Sequence, residues 1–200
     1  VLEIFLLYIF LSIFCAILYF FAGMSSFDSI IHAMTTISTG GFSSHDQSFA
    51  YFNSSNIEII SVIFMIMGSL PFVVYLQFLH GQKSLIVKDE QIRLFFIILL
   101  LIIFLTTIWL TYSRSMPVNI SIRLSLFNIT SILTGTGYTT NNYSTWGSFG
   151  LVIMLIIMFI GGCAGSTTGG IKIFRLQLLF RGAKAQIKKL THPHAVLLMR

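Results

Sequence analysis

From Leu94 to Tyr112 the chain carries no charged side chain. Coiled as a helix with about 1.5 Å of rise per residue, such a run nearly crosses the hydrocarbon core of a bilayer. Two more apolar runs reach that length, Val1 to Ala22 and Ile57 to Leu79. The second contains Pro71, which a membrane helix tolerates when neighbours satisfy the freed carbonyl. A fourth run begins near Trp146 and stays apolar only to Ile160, about 22 Å of helix and too short to cross unaided. Only 9% of the residues are charged and 56% are hydrophobic, against about 25% charge in a soluble domain. The expected fold class is therefore an all-α integral membrane protein.

Ten of the twelve basic residues fall in two places, Lys83, Lys88 and Arg93 after the second run, and Lys172, Arg175, Arg181, Lys184, Lys188, Lys189 and Arg200 in the tail. The positive-inside rule makes both cytoplasmic. The basic tail reads as a solvated face or as a surface helix touching anionic lipid. Cys15 and Cys163 lack the spacing of a zinc site or a disulfide framework and read as small packing residues. The start at Val1 and the stop at Arg200, just as "AVLLM" turns apolar, lead to the expectation of a piece of a longer chain.

Against this background the chain interrupts itself twice, with "MTTISTGGFSSHDQ" at residues 34–47 and "TSILTGTGYTTNN" at residues 130–142. Setting Gly41-Phe42 on Gly137-Tyr138, an offset of 96, brings Ile37 onto Leu133, Ser38 onto Thr134, and "FDSIIHAMTTI" onto "RLSLFNITSIL". With one residue of slippage, "GSLP" then meets "GSTT". The unit is helix, short helix, Gly-rich loop, helix, present twice. A segment of about a dozen residues cannot span, so the chain that follows it must climb back out as extended backbone. Irregular backbone at membrane depth survives only where protein buries it or a water-filled cavity receives it. A ring of its carbonyls can replace the hydration shell of a cation. Gly40, Gly41, Gly135 and Gly137 bring such backbone close to the ion, and Ser38, Thr39, Thr134 and Thr136 add uncharged hydroxyls that suit a monovalent ion.

"ISTGGFSSHD", "LTGTGYTT" and above all "GGCAGSTTGGIKIFR" resemble stretches of the Trk/Ktr/HKT superfamily of potassium transporters, in particular its bacterial TrkH type, and the likeness covers nearly the whole chain. The resemblance implies a potassium uptake pore of four helix, pore helix, filter loop and helix units with pseudo-fourfold, potassium-channel-like symmetry. Residues 1–80 would be its second unit, 81–93 a cytoplasmic linker, 94–190 its third unit with a basic cytoplasmic end, and 191–200 the start of a further segment. It makes the carbonyls of Ser38, Thr39, Gly40 and Gly41 and of Thr134, Gly135, Thr136 and Gly137 half of a selectivity filter, with potassium as cargo and no bound cofactor. It places the protein in the bacterial inner membrane as a homodimer, with a cytosolic nucleotide-binding TrkA-like subunit, the remaining repeats of the parent chain and membrane lipid as partners. No nucleic acid is expected. The loops depart from the threonine-valine-glycine-tyrosine-glycine signature of potassium channels, which leaves the strictness of selection against sodium open.

Five glycines in "GGCAGSTTGG" argue against continuous helix from 161 to 170, since each is about 1 kcal/mol worse than Ala there. Such a break is either a close helix-packing face or backbone lining a cavity. The resemblance makes Gly161, Gly162, Cys163, Ala164, Gly165, Ser166, Thr167, Thr168, Gly169 and Gly170 an intramembrane gate, with Lys172 at its inner end able to repel or compete with a cation.

The remaining polar residues read less sharply. His32 is a satisfied packing residue or a proton carrier. Asp28, Asp46 and Glu58 attract cations at the mouth or are solvated loop charges. "THPH" near the C-terminus reads as loop. An intramembrane hydrolase would need a base beside Ser166, and neither His32 nor His80 is placed for it. A pore for another solute, such as sodium, ammonium or water, is the remaining alternative. Uniport-like conduction is expected over proton or sodium coupling, because only His32 and Lys172 come near the path as titratable groups. No nucleotide-binding motif appears in the chain.

Overall fold

A computed structural model describes residues 2–81 and 89–191. Lys83 and Lys88 of the basic linker, His192 and His194 of "THPH", and the stretch from 192 to 200 lie outside the described residues. The helices are α1 (Leu2–Phe21), α2 (Ser26–Ile37), α3 (Ser55–Ser69), α4 (Phe72–Leu79), α5 (Glu90–Ser113), α6 (Val118–Leu133), α7 (Gly147–Ile157) and α8 (Ile173–Thr191). Short 3₁₀ turns at Ser48–Tyr51 and Tyr143–Trp146 precede α3 and α7. α5 opens at Glu90, so the last residues assigned to the linker are helical; the Asp89 carboxylate caps it, accepting from the backbone N–H groups of Gln91 and Ile92.

The apolar patterning gives each long helix one buried stripe. On α1 the buried residues are Leu11, Cys15 and Tyr19, and on α5 they are Ile92, Phe95, Leu99, Ile102, Thr106 and Leu110. Both sets recur at the three- and four-residue intervals that share a helix face. The other faces leave Phe5, Phe10, Ile13, Leu100, Leu101 and Phe104 exposed, as a helix in lipid requires. α1 and α5 are each long and apolar enough to cross a membrane. α1 packs on α2 as α5 packs on α6, and α3 runs between α2 and α6, so the two repeats share one central helix.

An ion pair ties that helix to the second repeat. Arg123 on α6 donates from Nε and Nη2 to the two carboxylate oxygens of Glu58 on α3, at 2.7 and 2.9 Å. The Glu58 side chain is 7% exposed and that of Arg123 38%, so Glu58 is neither a solvated loop charge nor a free charge at the mouth. Arg123→Ala leaves a buried carboxylate without its donors and is expected to destabilise the full-length protein by about 1.5–3 kcal/mol. Arg123→Lys should recover only part of this, because an ammonium cannot reproduce the two-pronged contact. Thermal unfolding in detergent measures both, and an unchanged midpoint in Arg123→Ala would sink the assignment.

The run from Ile57 to Leu79 is not one continuous helix through its proline. It breaks into α3 and α4, which meet at 91°. Leu70 precedes Pro71 and takes the extended conformation, φ −88° and ψ 157°, to which the proline ring drives the residue before it. The break frees the last carbonyls of α3. Tyr75 Oη donates to that of Met67 at 2.7 Å; those of Gly68 and Ser69 are met from far along the sequence.

Candidate ion filter and intramembrane loop

α2 and α6 end with the same turn, residue for residue at the offset of 96. Their caps, Ser38 (φ −73°, ψ −6°) and Thr134 (φ −77°, ψ −9°), share one conformation. Thr39 and Gly135 follow at φ 50° and 72°, and Gly41 and Gly137 at φ 69° and 87°. Ser38 N–H donates to the Met34 carbonyl and Thr134 N–H to that of Thr130; Gly41 N–H donates to the Thr35 carbonyl and Gly137 N–H to that of Ser131. Apart from that of Thr136, the N–H groups of residues 38–41 and 134–137 are thus spent on the helix C-termini, which otherwise lack donors. Among the described residues, the carbonyls of Thr39, Gly40 and Gly41 and of Thr134 to Gly137 accept no hydrogen bond. Gly40, Gly135 and Gly137 are exposed on the open face of the bundle.

Three of the four hydroxyls do not join them there, while Ser38 is exposed, its Oγ 3.4 Å from the Thr35 carbonyl to which it donates. Thr134 and Thr136 are buried, their Oγ1 atoms 2.7 Å apart, and Thr134 Oγ1 lies 3.2 Å from the Ser131 carbonyl to which it donates. Thr39 Oγ1 donates to the Ser38 carbonyl at 2.7 Å. Alternation decides this: with glycines facing the opening, the threonines between them point into protein and brace the backbone. Thr39 is the strained member, a β-branched residue in the left-handed region where its counterpart is glycine.

The loops touch each other. A Cβ on Gly41 would lie 1.7 Å from the Thr136 carbonyl oxygen. Tyr138, which follows Gly137, is fully buried against the first repeat, its ring 4.2 Å from that of Phe49. Its Oη lies 2.5 Å from Thr35 Oγ1 and 3.2 Å from Thr36 Oγ1. His32 reaches the Asp28 carbonyl with Nδ1 at 2.8 Å and Ser43 Oγ with Nε2 at 2.9 Å. A carbonyl only accepts, so Nδ1 carries the proton and Nε2 accepts from Ser43. Asn128, its counterpart at the offset, donates to the Leu124 carbonyl and contacts Thr140. Both residues tie a short helix to the chain leaving its loop, the packing role. Asp28 binds Ser25 and Ser44 and pairs with His45; the Ser44 hydroxyl holds its carboxyl below the ordinary carboxylate range. Asp46 alone of the three acids is exposed.

Residues 161–170 are not helical and lie against both candidate loops, with Thr167 at the end of α2 and Gly169 beside Gly135. The neck is pinned by the Ile160–Ile171 bridge, with Gly161 N–H donating to Ile171 and Ile171 N–H to Phe159, both at 2.9 Å. The interior fills the break in the first repeat. Cys163 N–H donates to the Ser69 carbonyl at 3.0 Å, Thr167 N–H to that of Gly68 at 3.1 Å, and Phe72 N–H to that of Gly165 at 3.0 Å. "GSLP" and "GSTT", matched in sequence, thus grip each other in space. Ala164 N–H donates to Gln91 Oε1 at 3.0 Å, joining the loop to the start of α5. Lys172 folds back on the loop, donating to Thr168 through its carbonyl and Oγ1 and to Ser166 Oγ. Ser166 gives its proton to the Cys163 carbonyl at 2.6 Å, while His32 and His80 are engaged elsewhere, so no activated nucleophile is assembled.

One hydroxyl joins three elements. Thr167 Oγ1 lies 2.9 Å from the Ile37 carbonyl at the end of α2 and 3.0 Å from the Gly68 carbonyl, and shares its proton between them. Thr39 Oγ1 is 3.5 Å away. Nothing in the sequence singles Thr167 out from its neighbours; the signal was indirect, in Gly68 preceding a proline on the other repeat. If the loop is a gate, Thr167→Val should loosen it and raise cation flux by roughly threefold to tenfold, the scale of one net hydrogen bond. Thr167→Ser should restore the wild-type rate. Equal flux in all three proteins would remove Thr167 from gating.

A family model described as "TrkH: Cation transport protein" matches residues 1–200. The chain is 39% identical over 197 residues to the Trk system potassium uptake protein TrkI of Halomonas elongata, covering 95% of this chain and 40% of that one. It is 36% identical over 196 residues to the Trk system potassium uptake protein TrkH of Escherichia coli K12, with 96% and 40% covered. Among solved structures it is similar to the crystal structure of the potassium transporter TrkH from Vibrio parahaemolyticus, at a TM-score of 0.94 and 36% identity, covering 99% of this chain and 43% of that one. The chain spans about 40% of the length of the curated relatives it matches.

Proposed function

The chain belongs to the TrkH family of cation transport proteins, and on that premise we propose that it carries two filter loops and the gate of a potassium uptake pore. It is a multi-pass membrane protein of a transporter family, not an enzyme. The observation that carries the reading is the pair of loops with matching backbone and unbonded carbonyls. Lone carbonyls at membrane depth cost several kcal/mol each unless something receives them. A dehydrated cation would do so, and carbonyl oxygens without formal charge hold a monovalent ion weakly enough to release it. Potassium is favoured because the relatives are named for its uptake.

In this reading residues 1–80 and 94–190 are two pore units, 81–93 links them on the cytoplasmic side, and the carbonyls of Ser38–Gly41 and Thr134–Gly137 form part of the filter. Residues 161–170 close the path below it, with Lys172 at the inner end. Two units cannot surround an ion, so the remaining repeats of the parent chain complete the ring. The bacterial inner membrane, a homodimer and a cytosolic TrkA-like subunit complete the proposal. The engagement of His32 by Asp28 and Ser43 supports uniport-like conduction, since it leaves no free base beside the filter. The test is uptake of potassium, rubidium and sodium by the full-length parent in cells without their own potassium uptake systems. Potassium uptake that restores growth supports the proposal. A correctly inserted parent that moves no potassium overturns it.

A further inference from the structure

Phe42 and Tyr138 occupy equivalent positions and have opposite surroundings. Each follows its filter glycine, and each has its carbonyl held by the same hydroxyl of its own repeat, Thr35 Oγ1 on Phe42 at 2.9 Å and Ser131 Oγ on Tyr138 at 2.8 Å. Yet Tyr138 is fully buried and Phe42 is 74% exposed. The backbone at the two residues is therefore held alike within each repeat. What differs is the neighbour. Tyr138 inserts beside α2 of the first repeat, against Thr35, Thr36 and Phe49, whereas no element among the described residues stands where the same motion carries Phe42.

This contact is head-to-tail. A knob on one repeat enters a different surface on the other, and such a contact repeats until a rotation closes it into a ring. The second repeat has the matching vacancy. An open apolar groove lined by Ile132, Gly135, Gly137, Tyr143, Met154 and Leu155 lies on its free side, and Ile132 is the counterpart of Thr36, which receives Tyr138. Knob and groove thus stand at opposite ends of the pair. The relatives are about two and a half times as long as this chain, which covers 40% of each, so chain is available to fill both places.

We infer that Phe42 is an inter-repeat contact of the assembled pore, seated against the short helix of the repeat on its open side as Tyr138 is seated against α2. It braces the first filter loop from outside the chain described here. The groove beside Ile132 receives the equivalent side chain of the repeat on the other side. The inference rests on the pore reading above, but burial of Phe42 can be measured without transport.

Phe42→Cys and Asp46→Cys in the full-length protein would be reacted with a membrane-impermeant maleimide, with wild type as background. Asp46, four residues on, is exposed and serves as the accessible control. Reaction at position 42 is expected to be slower by about tenfold or more, as for a side chain reached only by local opening. Equal rates overturn the inference. In parallel, Phe42→Ala should reduce potassium preference over sodium by about tenfold while Phe42→Leu, which keeps most of the volume, retains it. Slow labelling with unchanged preference in Phe42→Ala means that lipid covers the side chain, and also overturns it. If the wild type carries no potassium, the pore reading fails and the labelling result still decides whether Phe42 is packed.

Discussion

Gly41→Ser in the full-length protein is expected to lower the preference for potassium over sodium by at least about tenfold, and to reduce total flux, while the protein still inserts. Two independent costs fall on the substitution. Gly41 sits at φ 69°, a region that costs a residue with a side chain about 1–2 kcal/mol. The new Cβ would also stand 1.7 Å from the Thr136 carbonyl oxygen. That neighbour is backbone, so no rotamer change relieves the clash and the loops must move apart. Since about 1.4 kcal/mol is a factor of ten in an equilibrium, a displacement that spoils even one coordinating carbonyl reaches the stated effect. Gly137→Ser separates the two costs. Its φ is 87° but, among the described residues, no atom lies within 4 Å of the added Cβ, so it should keep these two loops in contact, and any loss it shows falls on its own loop and on the neighbour in the groove beside Ile132. Relative potassium and sodium fluxes in reconstituted vesicles measure both. Unchanged preference in Gly41→Ser would mean that these loops do not select the ion.

The second large effect is expected from deleting residues 163–168, which should raise potassium conduction by about tenfold or more. The deletion removes most of the chain that lies against both filter loops. It also removes the donors to the Gly68, Ser69 and Ile37 carbonyls. Unpaired and buried, each would cost about 1–3 kcal/mol. If the loop plugs a pore, water enters the space it leaves and satisfies those carbonyls, so the protein stays folded while conduction rises. If the loop is instead a structural tie, the carbonyls stay dry and the bend between α3 and α4 loses its support. A folded, inserted deletion variant with no transport would establish the tie.

Much of this architecture was legible in the sequence because it is written locally. The uncharged run from Leu94 to Tyr112 became the greater part of α5, and the offset of 96 recurs in the turn at Ser38 and Thr134 down to individual hydrogen bonds. Short-range patterning and the turn preferences of glycine suffice for both. What was missed depends on partners distant in the chain. Pro71 is compatible with a continuous membrane helix as well as with a break, and the 91° bend is supported by Cys163, Gly165 and Thr167, which no local signal names. Glu58 finds Arg123 sixty-five residues on, so its charge could not be separated from a solvated one. Thr134 and Thr136 carry hydroxyls suited to a cation, yet the alternation of the loop turns them inward. The ammonium of Lys172 is held by Thr168 and Ser166 of its own loop, partners that the sequence alone does not name.

Crystals of the full-length protein grown with rubidium in place of potassium test the central claim most directly, through the anomalous signal of the ion. The account predicts rubidium density on the pore axis, coordinated by the carbonyls of the loops at Ser38–Gly41 and Thr134–Gly137. Rubidium bound elsewhere in a protein that transports it, with both loops empty of ion, would contradict the account.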